Sequence, residues 1–177
     1  MTTFNGKRGL RNFSANPVAL VIDMQPEFLK EVVEKKELIE CQSQVLHYCR
    51  KNNIAAIAVE YTNNGRTVQP LRKHIAKVPK HAIITKSAPD GFSNSELEKI
   101  LRGWGADMLL LMGVNASLCV KDTAQGAADA GFKFMTAGQL IADEIYFQKR
   151  NKELSWYRQN GLYLLDYRNL LKDEAQL

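Results

Sequence analysis

The stretch that decides the fold is DMLLLMGVNASLCVKDTAQGAADAGFKF, residues 107 to 134. Asp107 to Val114 is the most apolar run in the chain, and a continuous apolar run suits a strand buried on both faces. From about Leu118 to Ala130 the residues turn small, and Ala124, Gly126, Ala127 and Ala128 let a helix pack close to a sheet. Gly131 stops that helix, and Phe132 to Thr136 (FKFMT) reads as the next strand. Strand, helix and strand in succession predict a βαβ unit in a parallel sheet.

The same alternation extends in both directions. Val18 to Met24 (VALVIDM), bounded by Pro17 and Pro26, reads as a buried strand. Glu27 to Lys51 has apolar residues at helical spacing, and Ile54 to Tyr61 and Ala82 to Thr85 read as two further strands. Ser93 and Glu96 form a capping-box pattern. Leu97, Ile100, Leu101 and Trp104 then fall on one helix face, with Gly103 and Gly105 as the stop. The tail predicts a helix near Ile145 to Gln159, a short strand near Leu162 to Leu165 and a last helix. The expected fold class is α/β, an open, mostly parallel, Rossmann-like sheet of about six strands with helices on both faces. The 177 residues suit one domain, 1–177, with residues 1–16 as a polar extension.

Composition narrows the function. The formal charge of +5 is scattered except for the segment Arg66 to Lys80, whereas nucleic-acid binders concentrate charge on one face. No apolar run approaches the roughly 20 residues of a membrane span, and the N-terminus has no apolar signal core. The three cysteines, Cys41, Cys49 and Cys119, form no CxxC pair. The expectation is a cytoplasmic protein acting on a small molecule, with no nucleic-acid or membrane partner.

In an open parallel sheet ligands bind at the carboxyl ends of the strands. The polar residues expected there are Asp23, Tyr61, Thr62, Lys86 and the turn Asn115 to Cys119. Taken singly, each has a plain structural explanation. Asp23 can cap the following helix, Lys86 can be solvated, and Cys119 can be a buried structural thiol, as Cys41 and Cys49 are expected to be. Cys119 also starts a helix, where the free N–H groups and the dipole favour a thiolate and a depressed pKa. An acid, a base and a thiol at the ends of three strands of one sheet are more informative together. Gln25, Phe28, Tyr61, Thr62 and Phe92 are candidates for a pocket wall, or equally for packing.

The segments ALVIDMQPEF, ITKSAPDGFSNSELEKIL and LLLMGVNASLCVKDTAQGAADAGFKF make the chain resemble the isochorismatase-like cysteine hydrolases from about Ala19 to Asp143. The resemblance implies that Asp23, Lys86 and Cys119 form the triad. It also implies a cis peptide between Val114 and Asn115, and an oxyanion hole made by the N–H groups of Asn115 and Cys119. It implies hydrolysis of a small amide or related C–N bond, and a homo-oligomer. Trp156, Tyr157, Leu162, Tyr163, Leu164, Leu165 and Tyr167 are candidates for the oligomer interface. The family's nicotinamidases carry an Asp-x-His metal site after the second strand. Here that place reads EYTNNGRTVQ, residues 60–69, without histidine. His47, His74 and His81 have no ligand spacing, so neither metal nor cofactor is expected. Family members that hydrolyse the isochorismate vinyl ether lack the cysteine, so Cys119 points to thiol chemistry. The rivals are a nicotinamidase-type enzyme with an altered or lost metal site, and a non-catalytic binding member.

Overall fold

The computed structural model describes residues 9–148 and 154–172. In chain order the elements are β1 (Pro17–Ile22), α1 (Pro26–Leu29), α2 (Lys35–Lys51), β2 (Ala55–Tyr61), α3 (Gln69–Ile75) and β3 (His81–Lys86). They continue with α4 (Ser95–Gly103), β4 (Met108–Val114), α5 (Cys119–Asp129), β5 (Lys133–Ala137), β6 (Ile141–Ala142), α6 (Ile145–Gln148), α7 (Leu154–Asn160) and β7 (Leu162–Leu164). The sheet has seven strands in the order β3-β2-β1-β4-β5-β7, with β6 paired to the end of β4. All the pairings are parallel.

Alternate residues of the central strands feed two cores. Ala19, Val21, Ala56, Ala58, Leu110 and Met112 face α2 and α3. Val18, Leu20, Ile57, Val59, Leu109 and Leu111 face α4, α5 and α7. β1 and β4 are buried along their whole length, which is why their sequences are apolar at every position rather than at alternate ones. Chain order reverses between β1 and β4, and such a switch point leaves a crevice at the carboxyl ends of the strands.

Several expectations are corrected. Glu27 to Lys51 is not one helix: the chain leaves α1 after Leu29, buries Val32, and starts α2 at Lys35. The cap of α4 is Asn94, whose side chain accepts from Glu96 N–H at 2.9 Å, while Ser93 donates its hydroxyl to Asp90 O. The basic segment 66–80 holds α3, whose Leu71 and Ile75 are buried, as is Val78 just beyond it. The single helix expected from Ile145 to Gln159 appears as α6 and α7, and residues 149–153 lie outside the described residues. The last segment is a 3-10 turn, Tyr167–Leu170. Residues 9–16 are not a free extension. Leu10 is fully buried, and the N–H groups of Ala15 and Asn16 both donate to the Asp107 carboxylate at 3.1 Å. Among the described residues no helix is long and apolar enough to cross a membrane.

One glycine is dictated by the sheet itself. Gly113 pairs with Ile22 in the β1–β4 register and holds φ at 146°. A Cβ there would lie 2.1 Å from the Ile22 carbonyl oxygen. Gly113→Ala is therefore expected to lower stability by more than about 2 kcal/mol, since it adds backbone strain to a clash between two central strands. Urea unfolding followed by circular dichroism measures this, and an unchanged midpoint would contradict the packing described.

Candidate active site

Asp23 follows β1 directly and holds φ at 52°, a left-handed conformation that a short carboxylate side chain tolerates better than most. Its N–H donates to Val59 O on β2 at 2.9 Å. It does not cap α1, which begins after Gln25. Lys86 ends β3, two strands away from β1. Neighbouring strands lie about 4.8 Å apart, so only a long side chain crosses the end of β2. Lys86 passes 5.2 Å from the Tyr61 ring centroid, and its Nζ stops 2.8 Å from Asp23 Oδ2. The same Nζ donates to Pro89 O at 2.5 Å. Both charged side chains are essentially sealed from solvent, at 0% and 1% exposure.

Cys119 is the first residue of α5 and is buried. Its thiol lies within hydrogen-bonding reach of the Asp23 carboxylate. Neither Asp23 oxygen completes a well-aligned hydrogen bond. The Lys86 contact is therefore an ion pair first, and the carboxylate keeps acceptor capacity for a proton arriving from the sulfur. Burial pushes the Asp23 carboxyl above the usual carboxylate range, and Lys86 and then Cys119 pull it back only in part. Burial, and then the Asp23 charge, push the Cys119 thiol up to about 12, against the opposing effects of Lys86 and the Asn115 N–H. This reverses the depressed pKa expected from the helix start: loss of water outweighs the helix dipole. The resting site holds a thiol beside a carboxylate–ammonium pair.

The turn between β4 and α5 has a nearly complete hydrogen-bond account. The Val114–Asn115 peptide is cis. Ala116 N–H donates to Ala142 O at 2.8 Å, Ser117 N–H to Asp143 Oδ1 at 2.8 Å, and Leu118 and Val120 N–H to Asn115 O at 3.1 and 3.0 Å. The Asn115 side chain donates to Glu144 Oε2 at 2.7 Å and accepts from Glu144 N–H at 2.7 Å. The Asn115 N–H is directed at the Cys119 sulfur. The Cys119 N–H opens α5, where an amide has no intrahelical acceptor, and among the described residues no other acceptor receives it. Two backbone donors are thus left beside the sulfur.

The remaining candidates divide. Gln25 is fully buried and spends its amide on the backbone: it accepts from Tyr61 N–H at 2.7 Å and donates to Tyr61 O and Gly65 O at 2.9 and 2.6 Å. It staples the end of β1 to the loop after β2. Phe28 meets Tyr61 edge to face at 6.0 Å, beside Lys86. Thr62 is exposed and lines, with Ser87, Ser93 and Asn94, a polar hollow of about 340 Å³ outside Lys86. Phe92 packs on Phe132 at 5.8 Å, against the core that α5 shares. Asp143, Glu144 and Thr123 were not marked by the sequence. Thr123 sits one turn after Cys119 on α5 and accepts from Gly91 N–H at 2.9 Å, fixing the loop that brings Pro89 to Lys86. Glu60, in the place of the metal motif, accepts from Thr67 N–H at 2.7 Å. Among the described residues no three His, Cys, Asp or Glu side chains cluster as metal ligands would.

An isochorismatase domain model matches residues 17–143. A secreted isochorismatase effector, Isc1 of Verticillium dahliae, is 32% identical over 157 residues, covering 81% of this chain and 83% of that protein. The YcaC gene product of Escherichia coli, an octameric hydrolase of unknown specificity, superposes with a TM-score of 0.77 at 20% identity, over 96% of this chain and 82% of that one. N-carbamoylsarcosine amidase from Thermoplasma acidophilum superposes with a TM-score of 0.70 at 19% identity, over 84% and 95% of the two chains. At these identities the two structures speak for the fold.

The thiol chemistry has a measurable sign. With its pKa near 12, Cys119 in the resting protein is expected to react with iodoacetamide at a rate that keeps climbing tenfold per pH unit to at least pH 10. Intact-mass measurement across a pH series checks this. A plateau near neutrality would show a thiolate already formed and contradict the burial argument.

Proposed function

The chain belongs to the isochorismatase domain family, and within it we propose a cysteine hydrolase that cleaves a small amide or related C–N bond through a thioester. The observation that carries this reading is the Asp23 carboxylate held between the Lys86 ammonium, at 2.8 Å, and the Cys119 thiol in a site closed to water. Such an arrangement suits a nucleophile whose proton leaves only as it attacks.

In this mechanism Asp23 takes the thiol proton while sulfur bonds to the carbonyl carbon. The N–H groups of Asn115 and Cys119 receive the developing oxyanion. Asp23 gives the proton to the departing nitrogen, and the C–N bond breaks to leave a thioester. Water then loses a proton to Asp23 as it attacks the thioester carbon, and the sulfur leaves with a proton returned by Asp23. A carboxyl pKa raised above the usual carboxylate range by burial suits a group that both accepts and returns a proton. Lys86 keeps the buried carboxylate ionised at the start of each cycle. The reading requires a free thiol. Cys41, Cys49 and Cys119 are all free, and a reducing, cytoplasmic setting suits them.

The test is ammonia release from a panel of primary amides and ureido acids, with isochorismate as a contrasting substrate. Cys119→Ala and Asp23→Asn are each expected to lower kcat on the best amide by at least about 10³-fold, without adding in the double variant. Activity should survive dialysis against a chelator and be abolished by a thiol alkylator. Near-normal turnover by Cys119→Ala, or a preference for isochorismate that survives it, would overturn the thioester route. Loss on chelation restored by one divalent ion would favour the nicotinamidase-type alternative.

A homo-oligomer accompanies this reading; of the tail candidates Leu165 is exposed, and Trp156, Leu162, Tyr163 and Leu164 are half-buried. Tyr157 and Tyr167 are buried in the chain's own cores. The exposed apolar residues Val33, Ile145 and Tyr146 lie together as a second candidate surface, because Ile145 N–H donates to Glu31 O at 2.9 Å. Light scattering is expected to give a multiple of the 20.0 kDa chain mass that falls on Tyr146→Glu, and a concentration-independent monomer would contradict it.

A further inference from the structure

We propose that Tyr157 is a positioning residue for the turn that presents the two oxyanion donors, an inference that rests on Cys119 as nucleophile. Tyr157 lies on α7, outside the matched residues 17–143. Its hydroxyl donates to Ala116 O at 2.5 Å. The other end of the same peptide unit, Ser117 N–H, donates to Asp143 Oδ1. A peptide unit is planar and rigid, so bonds to its carbonyl at one edge and its N–H at the other fix its rotation. That unit is the central link of the turn: Asn115, with its N–H aimed at the sulfur, stands on one side and Cys119 on the other.

The hydroxyl is itself held by packing. The Tyr157 ring is 1% exposed. It meets Trp156 edge to face at 5.2 Å, and Trp156 in turn stacks on Phe134 at 5.8 Å. Without the hydroxyl, Ala116 O is a buried acceptor that has lost its donor, and the turn gains a reason to tilt toward another one. The ring packing would survive. Tyr157 reaches the chemistry through the turn rather than through the sulfur.

The test is Tyr157→Phe in the full chain, read with two reagents that differ in one respect. Iodoacetamide alkylates Cys119 with loss of iodide and builds no oxyanion. Benzaldehyde adds to the thiol: the S–C bond forms, the carbonyl π pair moves to oxygen, and that oxygen takes the thiol proton. The hemithioacetal oxygen then occupies the place of the oxyanion, and its formation is read as protection of Cys119 from alkylation. The variant is expected to alkylate within about twofold of wild type, while its benzaldehyde protection constant weakens about tenfold. That is less than the 10²–10³ typical of deleting a donor outright. On the best amide kcat should fall about tenfold with KM unchanged. An unchanged protection constant, or an equal loss in alkylation and protection, would overturn the proposal. If wild type hydrolyses no amide yet the contrast between reagents holds, the hydrolase reading fails and the placement of Tyr157 stands.

Discussion

The buried ion pair between Asp23 and Lys86 is the constraint to which the surrounding structure is fitted. Removing two opposite charges from water costs several kcal/mol per ion, and deleting one partner of such a pair commonly costs about 3–5 kcal/mol. Apolar side chains of similar volume would fill the space at no loss of stability, so the pair is better explained by chemistry than by folding. Its geometry explains features that otherwise look unrelated. The left-handed Asp23 lies at the end of β1, beside the switch point, while Lys86 must stretch from the third strand across β2. The loop after Lys86 is fixed to α5 twice. Gly91 N–H bonds Thr123, and the Asp90 carboxylate lies so close to Gly126 that a Cβ there would meet it at 2.5 Å. Cys119, Thr123 and Gly126 fall at i, i+4 and i+7, on one face of the helix. One helix face therefore sets both Cys119 and the loop that holds Lys86.

Closure of the site determines where the proton rests. A helix start and a nearby ammonium both favour a thiolate, yet desolvation and the Asp23 charge win. Cys49 is raised to about 12 by burial alone, which separates the two effects: the same neutral thiol arises with and without a neighbouring carboxylate and ammonium. For both groups the folded pKa exceeds the reference value of 9.0. Their contribution to stability is thus complete below pH 9 and is lost as pH rises from there toward 12. At neutral pH the thiol form costs nothing, and on the proposed mechanism the same burial would shield a thioester from water.

Sequence revealed those parts of the molecule that depend on local pattern. Strands β1, β2 and β4 were legible because burial on both faces writes itself as long apolar runs, and α5 because small residues and Gly131 bracket it. α3 was hidden although Leu71, Ile75 and Val78 have helical spacing, since the basic residues between them dominate the segment. β6, two residues long, carries no pattern at all. The capping error at Ser93 reflects two adjacent polar residues of equal local promise, decided by the bond from Asn94 Nδ2 to Thr85 O. At the site, the acid, the lysine and the thiol could be singled out because strand ends locate them. Their supports could not. Asp143 and Glu144 reach the turn across 26 and 29 positions, and Tyr157 across 41. The direction of the thiol pKa was missed for the same reason, because burial is a property of the assembled cores.

The turn at residues 115–118 is held by giving nearly every neighbouring backbone donor an acceptor. Backbone N–H groups buried without acceptors are costly, and proteins pair nearly all of them. Here Ala116, Ser117, Leu118 and Val120 are each given an acceptor, so the turn cannot relax by trading partners. The Asn115 side chain is occupied by Glu144 at both its donor and its acceptor, which removes the nearest group able to compete for the peptide N–H. What stays open is the pair of amides beside the sulfur, and their openness is stable only because everything around them is closed. The acceptors come from Asn115 within the turn and from Ala142 and Asp143 beyond it, the side-chain partner from Glu144, and the final donor, to Ala116 O, from Tyr157. A domain boundary drawn at residue 143 therefore runs through the support of this turn, and the chain beyond it belongs to the site in the physical sense that decides where those two amides point.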